Sequence, residues 1–448
     1  MSGSLGHLTS FPSRRKSLKT KSIASLRTGV PTELRVLMLL AAIICLSKAA
    51  SAQQQSFTWE QIRDRFLATN PTLRAAVQSI ESSRANEITA GLRPNPTFQN
   101  DTTSATIGFY QEFEVGGKRS ARLDSARIAT AISRTDYDDA RRTLVFNLRQ
   151  AFVAALVAKS DLGFAHENLA NFQKVVDLNR LMFEQGQLSR ADFLKIELQT
   201  LQFQTDLEDA TLALRTAKAT LRALVGATNL PPDFDVEGAL RAVPLDKNLA
   251  DLQQLALANR PDLKSAETGR EKASADSRVA RAYRWPDPTL GASYLHTGNE
   301  IGGPSWFQPF YPKGLSSNAM GLAVASVPIP IFNRNQGEVA RTRSEQLRAD
   351  SLAQAARNQV LQDVETAYAS FESSRTRVQL FEQTYLSRTR ESLDIEEFSF
   401  RNGAASVLDF LDAERTFRAT QLAYRQELAS YLTNLAQLEA AVGTPLTP

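Results

Sequence analysis

The sequence predicts a mainly α-helical protein in which one unit, made of long antiparallel coiled-coil helices and a short β segment, is written twice. Three observations predict this fold class: long stretches without proline, motifs that recur at a fixed offset, and segments that alternate apolar with polar residues. Proline is absent from 97–230 and from 331–444 of the 448 residues. Because proline interrupts helix interiors, both stretches allow very long helices.

The internal duplication is visible as motifs that recur at a regular distance. Asn70-Pro71-Thr72-Leu73 returns as Arg260-Pro261-Asp262-Leu263, 190 residues later, whereas Gly186 returns as Gly403, 217 residues later. The larger offset places an insertion in the second copy, around 295–316. We therefore expect a signal peptide at 1–52, a first repeat at 53–230 with strands at about 97–115 and a tip turn at 186–192, an equatorial connection at 231–246, and a second repeat at 247–448 with strands at about 288–331 and a tip turn at 403–409.

The helices of the first copy are expected at about 58–92, 119–183 and 189–225. The middle one would be roughly 97 Å long at 1.5 Å per residue, so the two shorter helices could stack end to end beside it. Apolar residues seven apart predict a coiled-coil seam, and this seam alone favours an ordinary coiled-coil rod. The seam residues are Leu207, Leu214 and Leu221 in the first copy and Tyr424, Tyr431 and Leu438 in the second.

The predicted strands argue against a plain rod. Residues 106–115 place Ile107 and Phe109 on one face and mostly polar residues on the other, as a transmembrane β-strand with a lipid face requires. A soluble hairpin packed on the helices is the alternative. Residues 97–103 are polar and make a poor strand. Open strand edges are forbidden in lipid, so four strands per chain could span a membrane only if several chains share one barrel. The second-copy candidates are 289–296 and 318–327, which flank a loop with Trp306, Phe307, Phe310 and Tyr311.

The charge distribution separates a leader from the rest of the chain. Residues 1–52 hold eight of the 52 Lys and Arg but one of the 48 Asp and Glu, so the remainder is slightly acidic, which argues against nucleic-acid binding. A basic stretch, an apolar run at 36–46 and Ala50-Ser51-Ala52 predict an export signal, with an N-terminal membrane anchor as the alternative. Bulky Ile44 argues against lipidation of Cys45, the single cysteine.

Four motifs stand out along the chain: Asn70-Pro71-x-Leu73, Leu92-Arg93-Pro94-Asn95-Pro96, Glu114-Val115-Gly116-Gly117-Lys118-Arg119 and Pro328-Ile329-Pro330-Ile331-Phe332-Asn333-Arg334-Asn335-Gln336-Gly337. With the duplication, they resemble the TolC family of outer-membrane efflux channels, and the last two resemble its CzcC-like branch, which serves cation-exporting pumps. The resemblance covers 55–443.

The resemblance implies a homotrimer in the Gram-negative outer membrane, with a twelve-strand barrel in the lipid and a twelve-helix α-barrel in the periplasm. The tunnel would dock on a periplasmic adaptor and an inner-membrane RND pump, and would conduct heavy-metal cations without catalysis or cofactor. Drugs or type I secreted proteins are alternative cargoes. A secreted coiled-coil structural protein and an envelope enzyme on a helical scaffold are alternatives of other classes. His166 and His296 are too few for a metal site and are assigned no metal.

Two groups of residues would carry function. At the tip turns, glycine can end one helix and serine can cap the next, which explains these residues without any partner. The resemblance adds contact with the adaptor. Just beyond the second turn, Asp409 and Asp412 share one helix face and would form two carboxylate rings in a trimer, narrowing a cation-selective gate; a solvated helix face is the alternative. The first copy has Asp192 and Lys195 there. The adaptor-contact candidates are Gly186, Leu188, Ser189, Asp192, Gly403, Ala405 and Ser406.

Overall fold

The computed structural model describes residues 55–101, 106–296 and 318–446. The predicted signal peptide and the four loop aromatics from Trp306 to Tyr311 lie outside the described residues.

The first copy contains β1 (Ser56–Phe57), α1 (Trp59–Thr69), α2 (Pro71–Gly91), β2 (Thr97–Asp101), β3 (Thr106–Glu112), α3 (Lys118–Glu184) and α4 (Arg190–Val225). The second contains β4 (Asp235–Val236), α5 (Leu249–Asn259), α6 (Pro261–Ala282), β5 (Thr289–His296), β6 (Asn318–Ser326), α7 (Gln336–Leu380), a π-helical turn (Phe381–Tyr385), α8 (Leu386–Arg401) and α9 (Val407–Val442).

The predicted long helix is present as α3, whose 67 residues span about 100 Å. Its counterpart in the second copy runs without interruption through α7, the π-helical turn and α8. The outgoing helices α4 and α9 have 36 residues each. The chain is therefore mainly helical, as predicted, and its two copies have matching helices.

The prediction of one helix over 58–92 is wrong. The helix breaks at Asn70, whose backbone is extended (φ −61°, ψ 123°), and α2 restarts at Pro71. A residue before proline avoids the α conformation, and proline at the first helical position needs no hydrogen-bond acceptor. The Asn70 side chain caps the new helix by accepting a hydrogen bond from the Leu73 N–H at 3.1 Å.

The long helix α3 organises the packing. It contacts α2 near its start and α4 towards its end, and it also contacts α6 and α9 of the second copy. We call the contact of α3 with α6 and α9 the in-chain seam. Apolar side chains form one core around α1, α3 and α4, a second around α5, α7 and α9, and a third at the tip turns.

The four longer strands form one antiparallel sheet in the order β2-β3-β5-β6. Phe98, Phe109 and Ala292 lie side by side in this sheet. Phe98 and Phe109 are 58% and 62% exposed, with ring centroids 5.1 Å apart. The apolar face expected of 106–115 is thus present and uncovered within one chain, and even the polar segment after Pro96 forms a strand. No helix of the described residues is long and apolar enough to cross a lipid bilayer.

Candidate functional site

The two tip turns have the same backbone geometry. Gly186 and Gly403 adopt left-handed conformations, with φ of 75° and 73°, which an L side chain rarely accepts. The Gly186 N–H donates to the Phe183 carbonyl, and the Gly403 N–H donates to the Phe400 carbonyl, each at 3.0 Å. Glycine is therefore explained at both positions by the end of the incoming helix.

Serine starts the outgoing helix at each tip. The Ser189 Oγ accepts from the Asp192 N–H at 3.1 Å, and the Ser406 Oγ accepts from the Asp409 N–H at 3.3 Å. At Ser406 the cap is reciprocal, because its N–H donates to Asp409 Oδ2 at 3.1 Å. These bonds satisfy N–H groups that have no partner inside the helix.

A pair of stacked phenylalanines braces each tip, which the sequence interpretation missed. Phe183 and Phe193 stack at 5.2 Å between centroids, and Phe400 and Phe410 stack at 5.4 Å. The common offset of 217 residues was the available signal. Leu188 and Ala405 pack against the core of the tips, so both tips lie at the same end of the chain. The candidates that remain exposed are Gly186, Ser189, Gly403 and Ser406.

The two gate candidates have different surroundings. Hydrogen bonds from the Ser406 hydroxyl, at 2.7 Å, and from the Ser406 N–H lower the pKa of Asp409, so it stays ionised. The capping role therefore accounts for Asp409 within one chain. Asp412 is exposed and makes no hydrogen bond or ion pair with any residue that the structure describes.

The first tip is electrostatically different from the second. Asp192 accepts a hydrogen bond from Lys195 Nζ at 2.8 Å, and Lys195 with Ser189 lowers the pKa of Asp192. The first tip thus presents a neutralised pair where the second presents two carboxylates. Within the described ranges, no group of three His, Cys, Asp or Glu side chains is arranged to hold a metal ion.

A half-buried charge cluster lies just beyond the second tip, where the sequence marks Glu414 only as the repeat of Glu197. Arg418 pairs with Asp206 of α4 at 2.5 Å, and its guanidinium covers the Phe203 ring at 4.3 Å. Glu414 Oε1 is 3.3 Å from Arg418 Nε, and Glu414 Oε2 is buried without a hydrogen bond. Burial raises the pKa of Glu414 to about 7; Asp206 adds to the rise and Arg418 opposes it.

Replacing Glu414 by glutamine should stabilise the protein, increasingly so at higher pH. The folded-state pKa lies above the ordinary value of 4.5, so the folded chain favours the protonated form and is penalised as pH rises through about 7. The gain should reach about 3 kcal/mol near pH 8 and vanish below about pH 4.5. Thermal unfolding across this range measures it. Exposed Glu184 gives the control: a pH-independent effect of Glu414→Gln, or an equal effect of Glu184→Gln, would contradict the assignment.

Long helical hairpins that meet at one end, and an apolar sheet face that is bare within one chain at the other, define a subunit of an outer-membrane channel. The family described as "Outer membrane efflux protein" matches residues 62–227 and 252–444. The chain therefore belongs to this family, the TolC family of the sequence analysis. It is a non-enzymatic outer-membrane protein, as predicted.

Two curated relatives carry different cargo names. The cobalt-zinc-cadmium resistance protein CzcC of Cupriavidus metallidurans is 24% identical over 80% of this chain and 82% of its own length. The pyoverdine export outer membrane protein OpmQ of Pseudomonas aeruginosa is 26% identical over 77% of this chain and 69% of its own.

A solved structure supports the fold. The MtrE outer membrane channel of Neisseria gonorrhoeae, crystallised in its open state, superposes with a TM-score of 0.68 and 21% identity. The match covers 87% of this chain and 89% of MtrE. At this identity the likeness concerns the fold alone.

Proposed function

We propose that three copies of this chain form the outer-membrane channel of a tripartite efflux system, and that the channel exports heavy-metal cations passively. A periplasmic adaptor would bind the exposed tip positions, and an inner-membrane RND pump would supply the cargo. The observation that carries the assembly is the sheet, which ends at β2 on one side and at β6 on the other.

Lipid offers no hydrogen bonds to the free backbone groups of an edge strand, so a membrane-spanning sheet must close. Four strands are too few, whereas three chains supply twelve, within the range of known outer-membrane barrels. Pairing β6 of one chain with β2 of the next would remove every edge. Phe98 and Phe109 would then face lipid.

The cargo proposal rests on the CzcC-like motifs and on the similarity to CzcC, which is named for resistance to cobalt, zinc and cadmium. The similarity to a pyoverdine exporter favours small organic molecules as the second candidate. A deletion strain separates the two. Sensitivity to zinc, cobalt or cadmium, restored by the gene, is expected. Sensitivity to several antibiotics with unchanged metal tolerance would favour the second candidate.

Replacing Asp409 and Asp412 together by alanine should raise single-channel conductance and weaken block by divalent cations roughly tenfold, because six carboxylates would leave the narrow end. Planar-bilayer recording measures both. Asp409→Asn with Asp412→Asn tests charge while keeping an acceptor for the Ser406 cap. Asp192→Ala is the matched control in the first copy and should leave block unchanged. Unaltered block in both double variants would remove these residues from the gate.

A further inference from the structure

One face of α4 is bare although the same face of α9 is covered. The two helices correspond at an offset of 217, so each α4 residue has an α9 counterpart. Leu212 is 64% exposed, whereas its counterpart Ala429 is 8% exposed. The pattern repeats at spacings of three and four, which marks one continuous helix face. The exposed residues are Glu197, Leu201, Gln204, Glu208 and Arg215, and their buried or half-buried counterparts are Glu414, Arg418, Gln421, Arg425 and Leu432.

The in-chain seam covers this face of α9. Arg425 donates from Nε to the Ser160 hydroxyl of α3 at 3.3 Å, and its guanidinium lies 4.0 Å from the Phe164 ring centroid. Further along, Leu428 and Leu432 share a core with Val153 of α3. Within one chain, nothing occupies the corresponding position on α4.

The helices α2 and α6 show the same asymmetry. Ser265 of α6 donates to Asp136 of α3 at 2.7 Å, and Ser125 of α3 donates to Asp276 of α6 at 2.6 Å. At an offset of 190, the matching face of α2 is exposed. Its residues are Thr72, Ala75, Gln78, Ser82, Ala85 and Thr89, against Asp262, Ser265, Thr268, Lys272, Ala275 and Val279 of α6, all buried or half-buried.

We infer that the contact between neighbouring copies repeats the in-chain seam. In this arrangement α2 and α4 of one chain dock on α7 and α8 of the next, in the positions that α6 and α9 take on α3. The inference rests on the proposed assembly and specifies its interface. It joins two different faces, which form a closed ring when the rotation per chain is a whole fraction of a turn.

Charge complementarity supports this register. In the in-chain seam, Arg425 of α9 faces Asp161 of α3, with Nε and Oδ1 4.0 Å apart. The counterpart of Arg425 is Glu208. Arg377 of α7 corresponds to Ser160 at an offset of 217, or to Asp161 if one residue of the π-helical turn is counted as extra, and Arg425 approaches both. The seam between copies would thus carry the same ion pair with its charges exchanged.

Both members of this second pair have capacity for it. Glu208 is exposed and forms no hydrogen bond or ion pair within the described part of the chain. Arg377 uses Nε for Glu427 at 2.7 Å and Nη1 for Ser373 at 2.7 Å. Its remaining guanidinium nitrogen, Nη2, makes no bond to a described residue, so a carboxylate of a second chain can bind there.

Cysteine cross-linking tests the register. In a Cys45→Ala background the chain has no cysteine of its own. Glu208→Cys with Arg377→Cys, treated in outer membranes with a short bismaleimide, should give covalent dimers and trimers on denaturing gels. Asp209→Cys with Arg377→Cys is the matched control, because one residue turns the helix by about 100°. Asp209 and its counterpart Gln426 are both exposed, so this pair should remain monomeric.

A charge reversal gives a second readout that needs no cross-linker. Glu208→Arg should lower the temperature at which the assembled particle dissociates by several degrees, and Asp209→Arg should leave it unchanged. Trimeric particles in which the 208–377 pair does not cross-link, or in which Glu208→Arg has no effect, would overturn the seam and leave the channel intact. Monomeric particles of the unmodified chain would overturn the proposed assembly itself.

Discussion

Replacing Lys118 by alanine should destabilise the folded chain by about 3–5 kcal/mol, because it leaves a buried carboxylate without its partner. Lys118 is the first residue of α3, and its side chain is 4% exposed. It forms an ion pair with Asp287, which precedes β5 and also accepts the Val115 N–H at 2.8 Å. This contact joins the strand-to-helix passage of the first copy to the strand entry of the second.

Chemical denaturation of the purified protein measures this loss. Lys264→Ala removes an exposed lysine and should change the free energy of unfolding by less than about 0.5 kcal/mol. Lys118→Met combined with Asp287→Asn removes both charges and keeps an acceptor for Val115, so it should recover most of the loss. A Lys118→Ala variant as stable as Lys264→Ala would show that the pair does not hold the junction.

Arg260→Ala should cost a similar amount, about 3–5 kcal/mol at neutral pH. Arg260 is buried and binds Asp262 at 2.6 Å and Asp363 at 2.8 Å, and its Nη1 donates to the Ala441 carbonyl at 3.1 Å. It thereby joins the start of α6 to α7 and to the end of α9. Its removal would leave two carboxylates facing each other and an unpaired carbonyl.

The loss at Arg260 should depend on pH. Burial would raise the pKa of Asp262, but the hydrogen bond and charge of Arg260 outweigh it and hold that pKa below its usual range. A lowered folded-state pKa gives stability above the ordinary value of 3.8, and this stability is lost as pH falls through the folded-state value. The difference between wild type and Arg260→Ala should therefore shrink in acid.

Arg270→Ala is the matched control for Arg260. Arg270 pairs with Asp350 at 2.7 Å, but both side chains are about half exposed, so its loss should cost no more than about 1 kcal/mol. Equal losses in the two variants, or an Arg260→Ala deficit that grows in acid, would contradict the role of Arg260.

Local rules and the duplication predicted much of this fold. Absence of proline predicted α3, and the glycine and serine of each tip predicted where helices end and begin. The break at Asn70 was missed because proline was weighed as an interruption of helix interiors and not as a helix start. The role of Arg260 was also missed: it occupies the repeat position of Asn70 but bridges carboxylates instead of capping a helix.

The candidate site was predicted where it depends on neighbours in sequence. The spacing of Asp409 and Asp412 placed both on an exposed helix face, and the gate itself stays a prediction. Contacts between distant segments could not be read from the sequence. Lys118 meets Asp287, and Arg418 meets Asp206, only because α3 carries both copies on one scaffold. The burial of Glu414 follows from the same packing, so its raised pKa had no local signal.

The mass of the detergent-extracted particle tests the central claim most directly. The account predicts a particle of three identical chains, recovered from the outer membrane and resolved by native mass spectrometry at three times the mass of the processed chain. A single-chain particle, or recovery of the protein in the soluble periplasmic fraction, would contradict it.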